Sequence, residues 1–439
     1  MLKKNFLYSF FTQFPISFLN IVSGIILTRL LGVEGKGVYA TIQANIQLFS
    51  LLLGFGLTTG IIYFTSSNKI QLNKLMGIAI SILLLSSSLL GILIILPSPY
   101  NFFSYLFPKG YHAPFYYIYF ILFFGISYFN SIISAVFQGK QNFKVINSVL
   151  LVNSSLSVLL FSMILIYDYF IPEIITLKHL LSISLITVSI NAIIWIFLYI
   201  KSIKIIPSFK LSIVHEIKPI YLFIGITYIA NLLNFLNYRI DIWFLNYYHT
   251  AVEVGYYSLA TNIVENFWIL TTPIITVLLP YLSNKDKNMT NVIAYISRVN
   301  ISVLLCLAIF TFFTIEYILP FVYGKQFLPS ISPLILLLPG IILGGSTKLF
   351  ATYFVSNNQV HYNLKATIIG LVLTIILDFI LIPQYGTAGA AIATSIAYTS
   401  VFLFVTIIYF TQNKTNPIAY FIIQSRDITK LFSLFSNRS

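Results

Sequence analysis

His179-Leu-Leu-Ser-Ile-Ser-Leu-Ile-Thr-Val-Ser-Ile-Asn-Ala-Ile-Ile-Trp-Ile-Phe-Leu-Tyr-Ile200 contains no Asp, Glu, Lys or Arg and stops at Lys201. At 1.5 Å rise per residue the run makes a helix of ~33 Å, long enough to cross a hydrocarbon core of ~30 Å. Moving outward, comparable runs fall at 6–31, 38–64, 75–96, 113–137, 145–167, 218–245, 255–282, 290–319, 333–356, 364–382 and 388–411. None alternates polar and apolar residues as a lipid-facing barrel strand must. In lipid the backbone must then satisfy its own hydrogen bonds as helix. The fold class is therefore all-α: a polytopic integral membrane protein of about 12 transmembrane helices.

Composition agrees. Apolar residues make up 58% of the 439 and charged residues 8%, against about 25% charged in a soluble domain. The net charge of +14 is spread singly or in pairs between apolar runs, with no basic stripe for nucleic acid. It reads as topology control. With the N-terminus placed in the cytoplasm, inner segments hold 17 Lys and Arg, and outer segments hold only Arg29, Lys36, Lys109, Lys178 and Lys325. Adding or removing one span would scramble that alternation. Met1-Leu-Lys-Lys has the charge layout of a signal sequence, but the stretch continues past Pro15 to Leu31 without an A-x-A site. It reads as a retained first helix. The lone Cys306 excludes a disulfide framework and a Cys-based metal site.

The longest inner connection divides the chain into an N-terminal six-helix bundle (1–200), a cytoplasmic linker (201–217), a C-terminal six-helix bundle (218–411) and a cytoplasmic tail (412–439). Gly37-Val-Tyr39 opens span two as Gly255-Tyr-Tyr257 opens span eight, 218 residues later, and Gln141 falls on Gln359 at the same offset. The shared offset predicts a duplicated unit in parallel orientation, a common transporter device. In the tail, 418–423 is too short to span. The piece 426–435 fits either a short amphipathic surface helix or a disordered tail.

An ionisable side chain inside a span costs several kcal/mol and faces a partner or water. Seven stand out: Arg29 near the end of span one, Arg239 and Asp241 in span seven, Glu265 deep in span eight, Arg298 and Lys348 in spans nine and ten, and Asp378 in span eleven. Arg298, Lys348 and Arg29 can instead snorkel to headgroups. Arg239 and Asp241 point to different sides of one helix and cannot neutralise each other; Asp378 or Glu265 can serve Arg239 as an interhelix partner. Asn231, Asn234 and Asn237 form a slanted polar stripe, and Gly54, Gly56 and Gly60 read as a close-packing set. No P-loop, His pair at i+4 or nucleophile constellation occurs, and the early outer loop offers Glu34 alone where polytopic glycosyltransferases need paired acids. The chain reads as a non-enzyme with no catalytic residue, metal or cofactor.

Thr28-Arg-Leu-Leu-Gly-Val-Glu-Gly-Lys-Gly-Val-Tyr-Ala40 resembles the first-loop signature of bacterial polysaccharide flippases (O-antigen, capsule or teichuronic acid type), the Wzx-like branch of the multidrug/oligosaccharidyl-lipid/polysaccharide exporter superfamily. Asn237-Tyr-Arg-Ile-Asp-Ile-Trp243 with Val254-Gly-Tyr-Tyr-Ser-Leu-Ala260 resembles the span seven and eight signature of that branch. The resemblance implies two pseudo-symmetric six-helix bundles around a central cavity, working by alternating access in the bacterial inner membrane with both termini cytoplasmic. It implies an undecaprenyl-diphosphate-linked oligosaccharide as substrate and, as partners, membrane lipids and the polysaccharide polymerase and chain-length proteins, with no nucleic acid. Arg29, Arg239, Arg298 and Lys348 would be cavity cations for substrate; Asp241, Glu265 and Asp378 would serve ion coupling or cavity ion pairs. Alternative readings are a cation-coupled multidrug exporter of the same superfamily and a polytopic sugar polymerase or glycosyltransferase.

Overall fold

The computed structural model describes residues 2–67, 70–95, 107–171, 175–209, 214–283 and 289–422, together with 424 and 427. Among these residues every regular element is helical: α1 Leu2–Gly54, α2 Leu57–Ser67, α3 Leu72–Ile95, α4 Pro114–Gly139, α5 Phe143–Phe170, α6 Leu177–Ser202, α7 Val214–Tyr248, α8 Ala251–Glu265, α9 Thr271–Ser283, α10 Met289–Tyr323, α11 Ile331–Ser356, α12 Val360–Asn413 and α13 Ile418–Phe421, with 3-10 turns at Asn266–Ile269 and Lys325–Ser330. The helices outrun the apolar runs by a few residues because local caps extend them. Asn142 accepts the Val145 N–H at the start of α5, Pro114 opens α4, and Thr176 with His179 forms a capping box on α6.

Eight helices among the described residues are long and apolar enough to cross a membrane. Two of them are double. α1 breaks at Gly32 (φ 64°, ψ −175°) and α12 at Gly386 (φ 54°, ψ −128°), left-handed values that glycine adopts without a Cβ clash. Counting each arm separately, with α7 and the interrupted α8–α9 pair, gives twelve helical passages among the described residues. This is the expected polytopic all-α architecture.

The chain divides into two compact units, Met1–Phe235 with Thr250–Gly255, and Leu236–His249 with Tyr256–Ser439. In the first unit α1 packs on α5, and α4 packs on α2, α3 and α6. Its polar interior is bonded: the Tyr119 hydroxyl meets the Ser184 hydroxyl at 2.8 Å, and the Ser154 hydroxyl donates to Asn20 Oδ1 at 2.7 Å. After α6 the linker lies along α3, where the Ser208 N–H donates to the Asn73 carbonyl. In the second unit α11 packs against α12 and α10, over a core of Leu278, Leu282, Ile293, Leu349, Phe350, Phe354, Phe402, Val405 and Tyr409. Large apolar side chains such as Leu85, Phe170, Phe197, Phe313, Phe321 and Phe379 stand exposed, as a lipid-facing coat requires.

The duplication is written in the backbone. Lys140, Gln141 and Asn142 donate to the carbonyls of Val136, Gln138 and Phe137, while Asn357, Asn358 and Gln359 donate to those of Tyr353, Val355 and Phe354. The middle residue of each turn has positive φ, 56° at Gln141 and 58° at Asn358. These turns superpose in sequence at an offset of 217, so Gln141 is matched by Asn358 and not, as expected, by Gln359. The Gly37 and Gly255 pair keeps its offset of 218. Within the first unit, a Cβ on Gly37 would lie 1.7 Å from the Ala251 carbonyl oxygen, and one on Gly255 would lie 2.1 Å from the Val33 carbonyl oxygen. The two contacts exchange equivalent positions, so the repeated glycine serves one reciprocal backbone approach. Gly54 and Gly56 do more than allow packing: with Phe55 (φ 46°) and Gly56 (φ 67°) left-handed, they interrupt the helix between α1 and α2.

α13 docks the start of the tail, with Tyr420 buried among Phe350, Tyr409 and Phe410. The piece 426–435, read as either a short amphipathic surface helix or a disordered tail, lies, apart from Asp427, outside the described residues.

Candidate functional site

Residues two apart on a helix face directions roughly 200° apart, and α7 uses both. Arg239 turns toward the end of α8. Its Nη1 donates to Glu265 Oε1 at 2.8 Å and its Nη2 to Oε2 at 2.9 Å; Nη1 also reaches the Tyr238 carbonyl at 3.0 Å. Of the two expected acidic partners, Glu265 is the one it meets. Glu265 is the last residue of α8, where the helix tightens into the turn Asn266–Ile269. The pair keeps some access, with side-chain exposures of 24% and 22%.

Three residues beyond Glu265, Trp268 ties the pair to two further elements. Its Nε1–H donates to the Ile341 carbonyl at 2.9 Å. Its ring forms a triad with Tyr238 and Tyr398, centroids 5.8, 5.8 and 5.9 Å apart. Lys348 places its ammonium 3.5 Å from the Trp268 ring centre, a cation–π contact, and is near enough to Glu265 for their charges to interact. Lys348 thus turns inward onto an aromatic face where its place in span ten also allowed snorkelling. The cluster holds two cations, one carboxylate and three aromatic rings.

Asp241, on the opposite side of α7, is 2% exposed. It accepts the Tyr257 hydroxyl in a short bond, the Ile242 N–H at 2.8 Å and the Thr394 hydroxyl at 3.4 Å. Asp378 on α12 is fully buried, and neither of its oxygens has a hydrogen-bond partner among the described residues. The two carboxyls interact electrostatically. One turn before Asp378, the Thr374 hydroxyl donates to Asn237 Oδ1 at 3.1 Å. The asparagine stripe therefore divides, with Asn237 buried and Asn231 and Asn234 exposed.

The remaining residues stand apart. Arg298 is buried, and its Nε and Nη2 donate to Asp427 Oδ2 and Oδ1 at 2.5 and 2.8 Å. Its Nη1 reaches the Ala419 carbonyl. It fastens the tail to α10, in place of the headgroup contact that its position near a helix end allowed. Arg29 lies exposed on α1, in the other unit. Glu34 accepts the Tyr111 hydroxyl at 2.9 Å; desolvation first, then Glu34, pushes the Tyr111 phenol up to about 12. No group of three His, Cys, Asp or Glu residues able to hold a metal occurs among the described residues. Trp268, Tyr398 and Thr394 were not singled out from sequence, and Tyr257 was read only as part of the repeat and the span-eight signature. Trp268 follows Glu265 by three positions and Tyr257 precedes it by eight, so helical spacing was the available signal.

The sequence matches the family described as polysaccharide biosynthesis protein over residues 2–287. It is similar to the probable low-salt glycan biosynthesis flippase Agl15 of Haloferax volcanii, 27% identical over 163 residues, which is 36% of this chain and 34% of that one. The match thus spans about a third of that relative's length. Among solved structures, a lipid II flippase MurJ in an inward closed conformation is similar with a TM-score of 0.73 and 17% identity, over 99% of this chain and 93% of that chain. An inward-facing multidrug resistance MATE family transporter of the MOP superfamily gives 0.70 and 16%, over 91% and 96%. At these identities the likeness is one of fold.

Proposed function

Because the chain belongs to the polysaccharide biosynthesis protein family, we propose that it is a flippase moving undecaprenyl-diphosphate-linked oligosaccharide units across the bacterial cytoplasmic membrane by alternating access. The observation that carries this reading is the cluster of Arg239, Glu265, Lys348 and Trp268 held inside an apolar helical unit. A planar guanidinium matches phosphate oxygens in pairs, an ammonium adds a second charge, and aromatic faces suit the apolar faces of sugar rings. Arg239 and Lys348 hold the diphosphate; Arg29, on the other unit, is a third candidate cation. Arg298, engaged by Asp427, serves the tail. Both termini lie in the cytoplasm in this reading, which the distribution of Lys and Arg supports, and polymerase and chain-length proteins receive the product.

The coupling site is Asp241 with Asp378. A buried carboxylate without a partner is too costly to persist as a bare anion, so Asp378 is either protonated or balanced by a cation. Taking up that proton or cation on one side of the membrane and releasing it on the other, in step with the transport cycle, would couple substrate movement to an ion gradient. Likeness to a multidrug transporter keeps drug export as the rival. The test is display of polysaccharide in cells whose only such protein is this chain. Arg239→Ala should abolish display while the protein persists in the membrane. Normal display by the variant, or changed drug resistance with unchanged display, would reject the reading.

A further inference from the structure

The two arginine ion pairs among the described residues of the second unit differ in their access to solvent. Both are two-pronged, Arg298 on Asp427 and Arg239 on Glu265. Arg298–Asp427 is closed, with side-chain exposures of 9% and 3%, whereas Arg239–Glu265 stands at 24% and 22%. Partial access lets solvent, and so a ligand, reach the Arg239 and Glu265 side chains, whereas Arg298 and Asp427 are shut off. The open pair also has a second cation beside it, because Lys348 rests on Trp268 within reach of the Glu265 charge. Arg239 and Lys348 thus share Glu265 as a common neighbour, while Asp241 acts on Arg239 from the other side of α7.

The geometry points to Glu265 as an internal stand-in for the substrate's phosphate, an inference that rests on the flippase reading above. In the structure its carboxylate occupies the Arg239 fork. An arriving diphosphate offers the same paired oxygens and more charge, matched by Arg239 and Lys348 together, and it displaces Glu265. On release the carboxylate returns to the fork, so Arg239 is never left bare in an apolar unit, where an unpaired charge is costly. Glu265 thereby limits how tightly the substrate binds and helps it leave. It is a positioning residue that acts through Arg239. The turn Asn266–Ile269, directly after Glu265, replaces regular α-helix at the point where its side chain must swing.

The experiment measures farnesyl diphosphate binding to the purified full chain in detergent, by titration calorimetry, for wild type, Arg239→Ala, Glu265→Gln and Glu265→Ala. Gln can still accept a bond from Arg239, so the Ala variant reports on complete loss of the competitor. Both Glu265 variants should bind tighter than wild type, Ala by roughly tenfold, and both should display less polysaccharide in cells. Arg239→Ala should lose binding. Glu265 variants that bind no tighter than wild type, while Arg239→Ala still loses binding, would overturn the stand-in role and leave the flippase reading intact. Equal binding by Arg239→Ala and wild type would remove the diphosphate site itself. Should one Glu265 variant elute as aggregate, the other decides.

Discussion

Arg239 and Arg298 make the same two-pronged ion pair, yet one stays partly open and the other is closed. Removing one member of a closed ion pair leaves a buried charge and costs ~3–5 kcal/mol. Arg298→Ala should therefore lower thermal stability far more than Arg239→Ala, and replacing Arg298 and Asp427 together by apolar residues should restore much of the loss; a double-mutant cycle on unfolding temperature in detergent checks this. Asp378, buried with unbonded oxygens, predicts the opposite balance. Asp378→Asn should leave folding intact and remove the dependence of transport on an ion gradient, read as equal flux with the gradient present or collapsed; flux that still follows the gradient would exclude it. Sequence singled out seven charged residues, because hydrocarbon makes such side chains conspicuous. It left Arg239's partner open between Glu265 and Asp378, since one helix's spacing says which residues share a face and not which neighbour that face meets. Asp427 was illegible for a different reason: it pairs with a residue 129 positions away from a polar tail without periodicity.

At the scale of elements, hydropathy located every apolar run but could not tell a continuous helix from a broken one. A run keeps its mean hydropathy when one or two residues leave helical φ/ψ, so the breaks at Phe55–Gly56 and Asn266–Ile269 left no mark in the pattern. Gly54 and Gly56 were noticed and read as packing, whereas the interruption is their larger consequence. The repeated Gly37 and Gly255 were legible as a repeat, but their reciprocal approach to Ala251 and Val33 needs coordinates. Adding a methyl should separate these roles. At Gly37 it would press on a backbone carbonyl that cannot rotate away, and Gly37→Ala should cost at least ~1–3 kcal/mol, the range for overpacking. Gly91, within α3, has nothing within 4 Å of its would-be Cβ. Gly91→Ala should be neutral or stabilise by ~0.5–1 kcal/mol, the helix preference for Ala. Thermal unfolding of the two variants side by side gives the comparison, and equal effects would contradict the contact.

For the whole molecule, span number and helical class followed from composition and length, because a hydrocarbon core of fixed thickness leaves the chain few alternatives. The family match over residues 2–287 and the fold likeness to flippase and exporter structures agree with that reading. Substrate chemistry was less legible, since it depends on which helices carry Arg239, Glu265, Lys348 and Trp268 to one place. The most direct measurement is movement of a fluorescent undecaprenyl-diphosphate oligosaccharide across proteoliposomes, followed as protection from a quencher added outside. Wild-type protein should abolish protection, and Arg239→Ala should lower the rate by roughly tenfold or more. Liposomes that behave as protein-free ones do, or an Arg239→Ala rate equal to wild type, would contradict the flippase reading.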